Sequence, residues 1–222
     1  MRTQTREIQA HLTPQKAFEI LSDGNRRFVS NLSFNRNLLQ QVNDTSDGQH
    51  PFAIVLSCID SRTSAELIFD QGLGDIFSAR IAGNVLNNDI LGSMEFACKV
   101  AGAKLIVVLG HSRCGAIKGA CSHVEMGHLT GLLNKISPAL YSVRQAGLDS
   151  CPEEELVERV AAENMRHQMR AILERSTILE HMFADGQIGI VGGMYSVETG
   201  TVEFTDQMFA EQPAPLPTAR VA

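Results

Sequence analysis

Two short, unbroken apolar runs constrain this chain more than any other feature. Phe52-Ala53-Ile54-Val55-Leu56 and Leu105-Ile106-Val107-Val108-Leu109 contain no polar residue. They are too short for ordinary buried helices and rich in β-branched side chains, the pattern of strands buried on both faces. Such strands belong to a sheet covered on both sides, which is how parallel sheets with crossover helices are built. Residues 76–82, 188–195 and 201–204 are further strand candidates, the last entered through the turn Glu198-Thr199-Gly200.

Helical patterns alternate with these strands. Thr13-Pro14 reads as an N-cap with Pro at N1, followed by Ala17, Phe18, Leu21, Phe28, Val29 and Leu32 at helical spacing, with Gly24 as a weak point. Residues 33–50 are polar and aperiodic, so 1–50 reads as an N-terminal helical arm and connection. Short helices are expected over 64–70, from Cys114 to about His123, and over 129–140. A longer one is expected over 88–101, stopped by Gly102. Pro152-Glu153-Glu154-Glu155 starts a long helix, its acids at the positive dipole end. Leu156, Val157, Val160, Ala161, Asn164, Met165, Met169, Ile172 and Leu173 form its stripe, and Ser176 caps another helix to Phe183. The expected fold is α/β: a mainly parallel central sheet of about four parallel strands plus an antiparallel edge strand, flanked by helices. No internal repeat divides it, so 1–222 reads as a single domain with a mobile Pro-rich tail over 212–222.

Composition narrows the partners. A formal charge of −6 with no basic cluster argues against nucleic-acid binding. No apolar run is long enough to span a bilayer, and Met1 to His11 lacks a signal-peptide apolar region. Five widely spaced cysteines are an odd count that makes no disulfide framework, so a reducing cytoplasm is expected.

Each apolar run ends in chemistry. The first leads into Cys58-Ile59-Asp60-Ser61-Arg62, and the second into His111-Ser112-Arg113-Cys114. In open parallel sheets ligands bind beyond the carboxyl ends of the strands. A strand-end Cys alone is more often a buried hydrophobe, and a lone His-x-x-Cys is a weak metal signal. Together they supply two thiolates and an imidazole, a set suited to Zn²⁺. Three protein ligands leave one position open, as in catalytic zinc sites. A closed structural site needs a fourth ligand, and Cys98 and Cys121 lie outside any comparable motif. Asp60 and Arg62, two apart in an extended stretch, can face the same way and pair.

Cys-x-Asp-x-Arg followed by His-x-x-Cys resembles the β-class carbonic anhydrases. Gly24-Asn25-Arg26-Arg27-Phe28, Asp70-Gln71-Gly72-Leu73-Gly74-Asp75-Ile76-Phe77, Gly110 to Ala116, Gly192-Gly193-Met194-Tyr195 and Thr199-Gly200 extend the resemblance over most of the chain. It implies a zinc lyase that reversibly hydrates carbon dioxide to bicarbonate through a zinc-bound hydroxide, with one Zn²⁺ per subunit on Cys58, His111 and Cys114. Asp60 would accept a hydrogen bond from that hydroxide and Arg62 would hold Asp60. Gln49 would donate to a substrate oxygen. Phe77, Ala82 and Phe96 would line an apolar pocket, with Phe77 supplied by a neighbouring subunit, and the Gly115 N–H would assist. On their own, Phe77 and Phe96 read as core and Gln49 as loop. The resemblance further implies a homodimer or a dimer-of-dimers tetramer.

Several finer expectations follow. His50 is a candidate proton shuttle, although a solvated loop histidine is the blander reading. Some β-class members carry an inhibitory bicarbonate pocket that includes a Trp three residues before the first Cys. Here that residue is Val55 and the chain has no Trp. The pocket is therefore expected to be absent, with Arg80 paired to an acid and water or an anion, rather than Asp60, at the fourth zinc position. Ser196 stands where the family commonly has Asp, with no assigned consequence. The competing readings are a non-catalytic zinc-binding module, a zinc hydrolase of carbon disulfide or carbonyl sulfide, and a redox thiol protein that would leave His111 unexplained.

Overall fold

A computed structural model describes residues 3–210; the tail expected over 212–222 lies outside them. The chain runs α1 (Arg6–His11), α2 (Pro14–Val29), α3 (Leu38–Asp44), β1 (Ala53–Ser57), α4 (Ala65–Ile68), β2 (Ile76–Arg80), a 3-10 turn (Ala82–Asn84) and α5 (Asn88–Glu95) with a π-helical turn (Phe96–Val100). It continues through β3 (Leu105–His111), α6 (Gly115–Cys121), α7 (Gly127–Leu133), α8 (Ser137–Gln145), α9 (Glu153–Arg175), α10 (Thr177–Ala184), β4 (Gly189–Tyr195) and β5 (Val202–Met208).

The five strands form one sheet in the order β2-β1-β3-β4-β5. The first four are parallel and β5 runs antiparallel to β4 at one edge, as expected. The apolar runs are continuous because successive residues enter opposite cores. Ile54, Leu56, Ile106, Val108 and Ile190 pack against Leu91, Met94, Met165, Met169, Ile172 and Leu179 on one face. Ala53, Val55, Leu105, Val107, Leu109 and Val191 pack against Ala17, Leu21, Ala65 and Ile68 on the other. Full burial of each large apolar side chain contributes about 1.5–3 kcal/mol. A third cluster, with Val85, Ile117, Leu133, Ile136, Val157 and Val160, underlies Cys58 and Cys114.

Helix α2 lies on its own sheet. Gly24 does not weaken it: a Cβ there would sit 1.8 Å from the Phe69 carbonyl oxygen, so glycine permits the close approach to the end of α4. Beside it the Asn25 amide donates to the carbonyls of Ile68 (3.1 Å) and Gly200 (2.9 Å), and its oxygen accepts from the Val202 N–H (2.8 Å).

Several boundaries differ from the sequence reading. The aperiodic connection contains α3, capped by Asn37, whose side chain accepts from the Gln40 N–H at 3.0 Å; seven residues are too few to display a period. The second strand stops at Arg80, so Ala82 belongs to the following turn, where Gly83 (φ 68°) and Asn84 (φ 42°) adopt left-handed backbone. The helix expected over 129–140 is two helices, because Pro138 is accommodated only in a first turn. Strand β5 reaches Met208, beyond the expected Phe204.

Candidate metal centre

The parallel register sets Leu56 beside Val108, so Cys58 and His111 emerge from adjacent strands at the carboxyl edge of the sheet. Cys114 returns through a tight turn in which Arg113 takes a left-handed φ of 55°, a strain of about 1–3 kcal/mol for a non-glycine residue. Neighbouring groups hold that turn. The Ser112 N–H donates to the Tyr195 carbonyl (2.9 Å), the Val197 N–H to the Ser112 hydroxyl (3.0 Å), and the Arg113 N–H to Glu158 (2.7 Å).

The ligand atoms of Cys58, His111 and Cys114 lie within 4.8 Å of one another, and all three residues are buried. His111 Nδ1 lies 2.9 Å from the Ser112 carbonyl oxygen. A carbonyl only accepts, so Nδ1 carries the proton and Nε2 presents its lone pair. That Nε2 atom is buried with no hydrogen-bond partner among the described residues. The neighbouring Cys114 thiol holds the Cys58 thiol below its ordinary value against the opposing effect of burial, with help from His111 and the backbone. The same contact, then burial, pushes the Cys114 thiol up. A metal binding here would take both cysteines as thiolates, releasing their protons. Two thiolate-capable sulfurs and an orphaned imidazole nitrogen in one buried cluster fit Zn²⁺.

Asp60 stands at the rim of this cluster. Arg62 grips it through Nε (2.9 Å) and Nη2 (2.8 Å), and the Arg62 N–H adds a bond at 3.0 Å. These bonds hold the Asp60 carboxyl well below the usual carboxylate range, outweighing burial. Thr63 donates to the carbonyls of Cys58 (3.0 Å) and Asp60 (2.9 Å).

Arg80 departs from expectation. It pairs with no acid among the described residues. The register places it opposite Ser57, and its guanidinium donates to the carbonyls of Cys58 (3.0 Å) and Asp60 (2.7 Å), clasping the loop that carries the first ligand. Val55 is fully buried in the sheet core. Ser196 acquires a role: its hydroxyl accepts from the N–H groups of Glu198 (3.3 Å) and Thr199 (3.2 Å), shaping the β4–β5 turn.

The other predicted site residues divide into two groups. Ala82 lies in the turn beside Cys58, and Gly115 opens α6 directly after Cys114. Gln49 and His50 precede β1 at its opposite end, and the strand's four rises carry the chain about 13 Å. Phe77, opposite Ile54, is set back along β2. Its ring meets Phe96 at a centroid distance of 6.2 Å, in a separate groove of about 690 Å³ with Ile54, Ala79 and Ile90. Within one chain, therefore, Gln49, His50, Phe77 and Phe96 do not join the cluster.

Sequence reasoning missed three contributors. Gly83 donates its N–H to Cys58 Sγ at 3.4 Å. Asn164 and Gln168 stand behind it, fully buried. Asn164 sits in the apolar stripe of α9, and a polar residue in that stripe was the available signal.

Residues 53–202 match the family model described as carbonic anhydrase. A carbonic anhydrase of Mycolicibacterium smegmatis is 36% identical over 201 residues, covering 88% of this chain and 95% of that relative. Carbonic anhydrase 2 of Mycobacterium tuberculosis is 34% identical over 203 residues, covering 88% and 94%. Among solved structures, a β-carbonic anhydrase of Aspergillus fumigatus superposes with a TM-score of 0.70 at 27% identity, covering 88% of this chain and 92% of the other.

Proposed function

This chain belongs to the β-class carbonic anhydrases, and on that footing we propose that it hydrates carbon dioxide with a single Zn²⁺ held by Cys58, His111 and Cys114. The observation that carries the metal assignment is the buried, unpartnered His111 Nε2 in a cluster with the sulfurs of Cys58 and Cys114, ligand atoms within 4.8 Å of one another. Zinc supplies Lewis acidity, lowering the pKa of water toward neutrality and so making a nucleophile at ordinary pH.

The remaining chemistry belongs to the protein. Arg62 keeps Asp60 ionised and fixed, so Asp60 acts only as a hydrogen-bond acceptor for the attacking water and turns its lone pair toward carbon. With its carboxylate on Arg62, Asp60 would stay off the metal, which would take water or an anion instead. Thr63 and Arg80 hold the Cys58–Asp60 carbonyls, which fixes the spacing between ligand and acceptor.

Apolar binding of carbon dioxide requires a second subunit in this reading. Phe96 is 52% exposed and Val100 71% exposed, beside the groove that holds Phe77. A homodimer closing this face brings Phe77 and Gln49 of one copy toward the metal centre of the other. Thiolate ligands that must stay reduced support a cytoplasmic setting.

Stopped-flow hydration of carbon dioxide tests the proposal. Activity should appear in zinc-loaded protein, vanish on chelation and return with zinc. Full zinc occupancy without hydration would instead indicate a binding module.

A further inference from the structure

We infer that Asn164 and Gln168 are positioning residues for the metal centre, holding the Gly83 amide against the sulfur of Cys58 and so setting how strongly that ligand donates to the metal. The inference rests on the metal assignment above.

A hydrogen-bonded chain runs from the ligand into α9. The Gly83 N–H donates to Cys58 Sγ at 3.4 Å. The Gly83 carbonyl accepts from Asn164 Nδ2 at 2.9 Å. Asn164 Oδ1 accepts from Gln168 Nε2 at 3.0 Å, and Gln168 Oε1 accepts from the Leu86 N–H at 2.9 Å. The direction of the chain is forced. The Leu86 N–H can only donate, so it takes the Gln168 oxygen. That turns the Gln168 nitrogen toward Asn164, whose oxygen must face it, leaving the Asn164 nitrogen for Gly83. The turn between β2 and α5 is thereby tied at residue 83 and at residue 86.

The setting favours a role beyond packing. Asn164 is 0% exposed and Gln168 3% exposed. Their neighbours on the same helix, Met165 and Met169, fill the sheet core. A helix that only covered a sheet would carry apolar side chains at all four positions. Gly83 is itself left-handed (φ 68°), a conformation that leaves its N–H free to aim at sulfur. Two thiolates donate heavily and weaken a metal's Lewis acidity. An N–H···S bond withdraws density from the sulfur, and such outer partners tune metal sites.

The test uses Asn164→Leu and Gln168→Met, which keep volume and remove the donors. Ile172→Ala, in the same helix but outside the hydrogen-bonded chain, is the stability control. Cobalt-substituted protein reports on the sulfur through its thiolate-to-metal charge-transfer band, and zinc release to a chromophoric chelator reports on affinity. Asn164→Leu should move the band to lower energy, because the unbonded sulfur donates more strongly, and speed zinc release about tenfold or more, because the loosened turn no longer holds that sulfur in place. Gln168→Met, one link further away, should act in the same direction but less. Ile172→Ala should lower Tm and leave the band in place. If Asn164→Leu fails to fold, Gln168→Met against the control decides alone. Bands and release rates that match the control's would overturn the inference. Carbon dioxide hydration by the parent protein separates the two readings. A parent that binds cobalt through thiolates yet does not hydrate overturns the function and leaves this inference standing. A parent without metal at Cys58 overturns both.

Discussion

Replacing Gly83 with Ala perturbs the turn behind Cys58 in a way whose cost divides into two parts. The backbone part comes from φ 68°, where an L-residue pays about 1–2 kcal/mol. The steric part comes from a new Cβ lying 2.8 Å from Ile136 Cδ1 and 3.4 Å from the Ala116 Cβ. Ile136 is fully buried, so it yields only by repacking, at about 1–3 kcal/mol. Together the loss is about 2–5 kcal/mol. For a chain of this size each kcal/mol moves Tm by about 2–4 °C, so thermal unfolding of the zinc-loaded protein should fall by roughly 4–20 °C. Removing the Ile136 methyl separates the parts. In the cycle Gly83→Ala, Ile136→Val and the double variant, the coupling should be about 1–2 kcal/mol in the direction of relief. The backbone share should remain. A Gly83→Ala loss below about 0.5 kcal/mol, or a cycle without coupling, would refute this account of the turn.

Three further outcomes are expected. Arg62→Lys breaks the two-pronged grip on Asp60, so kcat/KM should fall about 10–100-fold with little change in Tm; a loss that merely tracks unfolding would count against the orienting role. Asp70 is buried and gripped by Arg36 and Arg27, whose hydrogen bonds outweigh burial and hold its carboxyl below the ordinary range. Its stabilisation is therefore complete above the ordinary carboxylate pKa and is lost as pH falls through the lower folded value. Asp70→Asn should cost about 3 kcal/mol at neutral pH, and denaturant titrations should show that gap shrinking in acid; a gap constant down to pH ~3 contradicts the ion-pair account. Phe96→Arg on the exposed groove should dissociate the proposed homodimer in sedimentation and depress hydration together, whereas an unchanged assembly would remove that face as the interface.

The sheet was legible because both faces of β1 and β3 are buried, which leaves Ile54 to Leu56 and Leu105 to Leu109 no polar positions. Cys58, His111 and Cys114 were legible because they follow those runs directly. What was not legible depends on register or on short caps. Arg80 reads as the partner of an acid until parallel pairing sets it opposite Ser57, within reach of two loop carbonyls. Gly24 looks like a flaw in a helix until the Phe69 carbonyl is found against it. Asn164 hides in an apolar stripe, because helical spacing says which face a residue occupies and not what it bonds. Gln49 and Phe77 were promoted by resemblance alone, and a single chain keeps them away from the Cys58–His111–Cys114 cluster.

The most direct test of the central claim is a crystal structure of the zinc-loaded protein at pH 7.5 with anomalous data at the zinc edge. The account predicts one peak within bonding distance of Cys58 Sγ, His111 Nε2 and Cys114 Sγ, with Asp60 still held by Arg62 and a non-protein ligand in the fourth position. Asp60 or any other side chain completing the coordination, or a peak elsewhere, would contradict it.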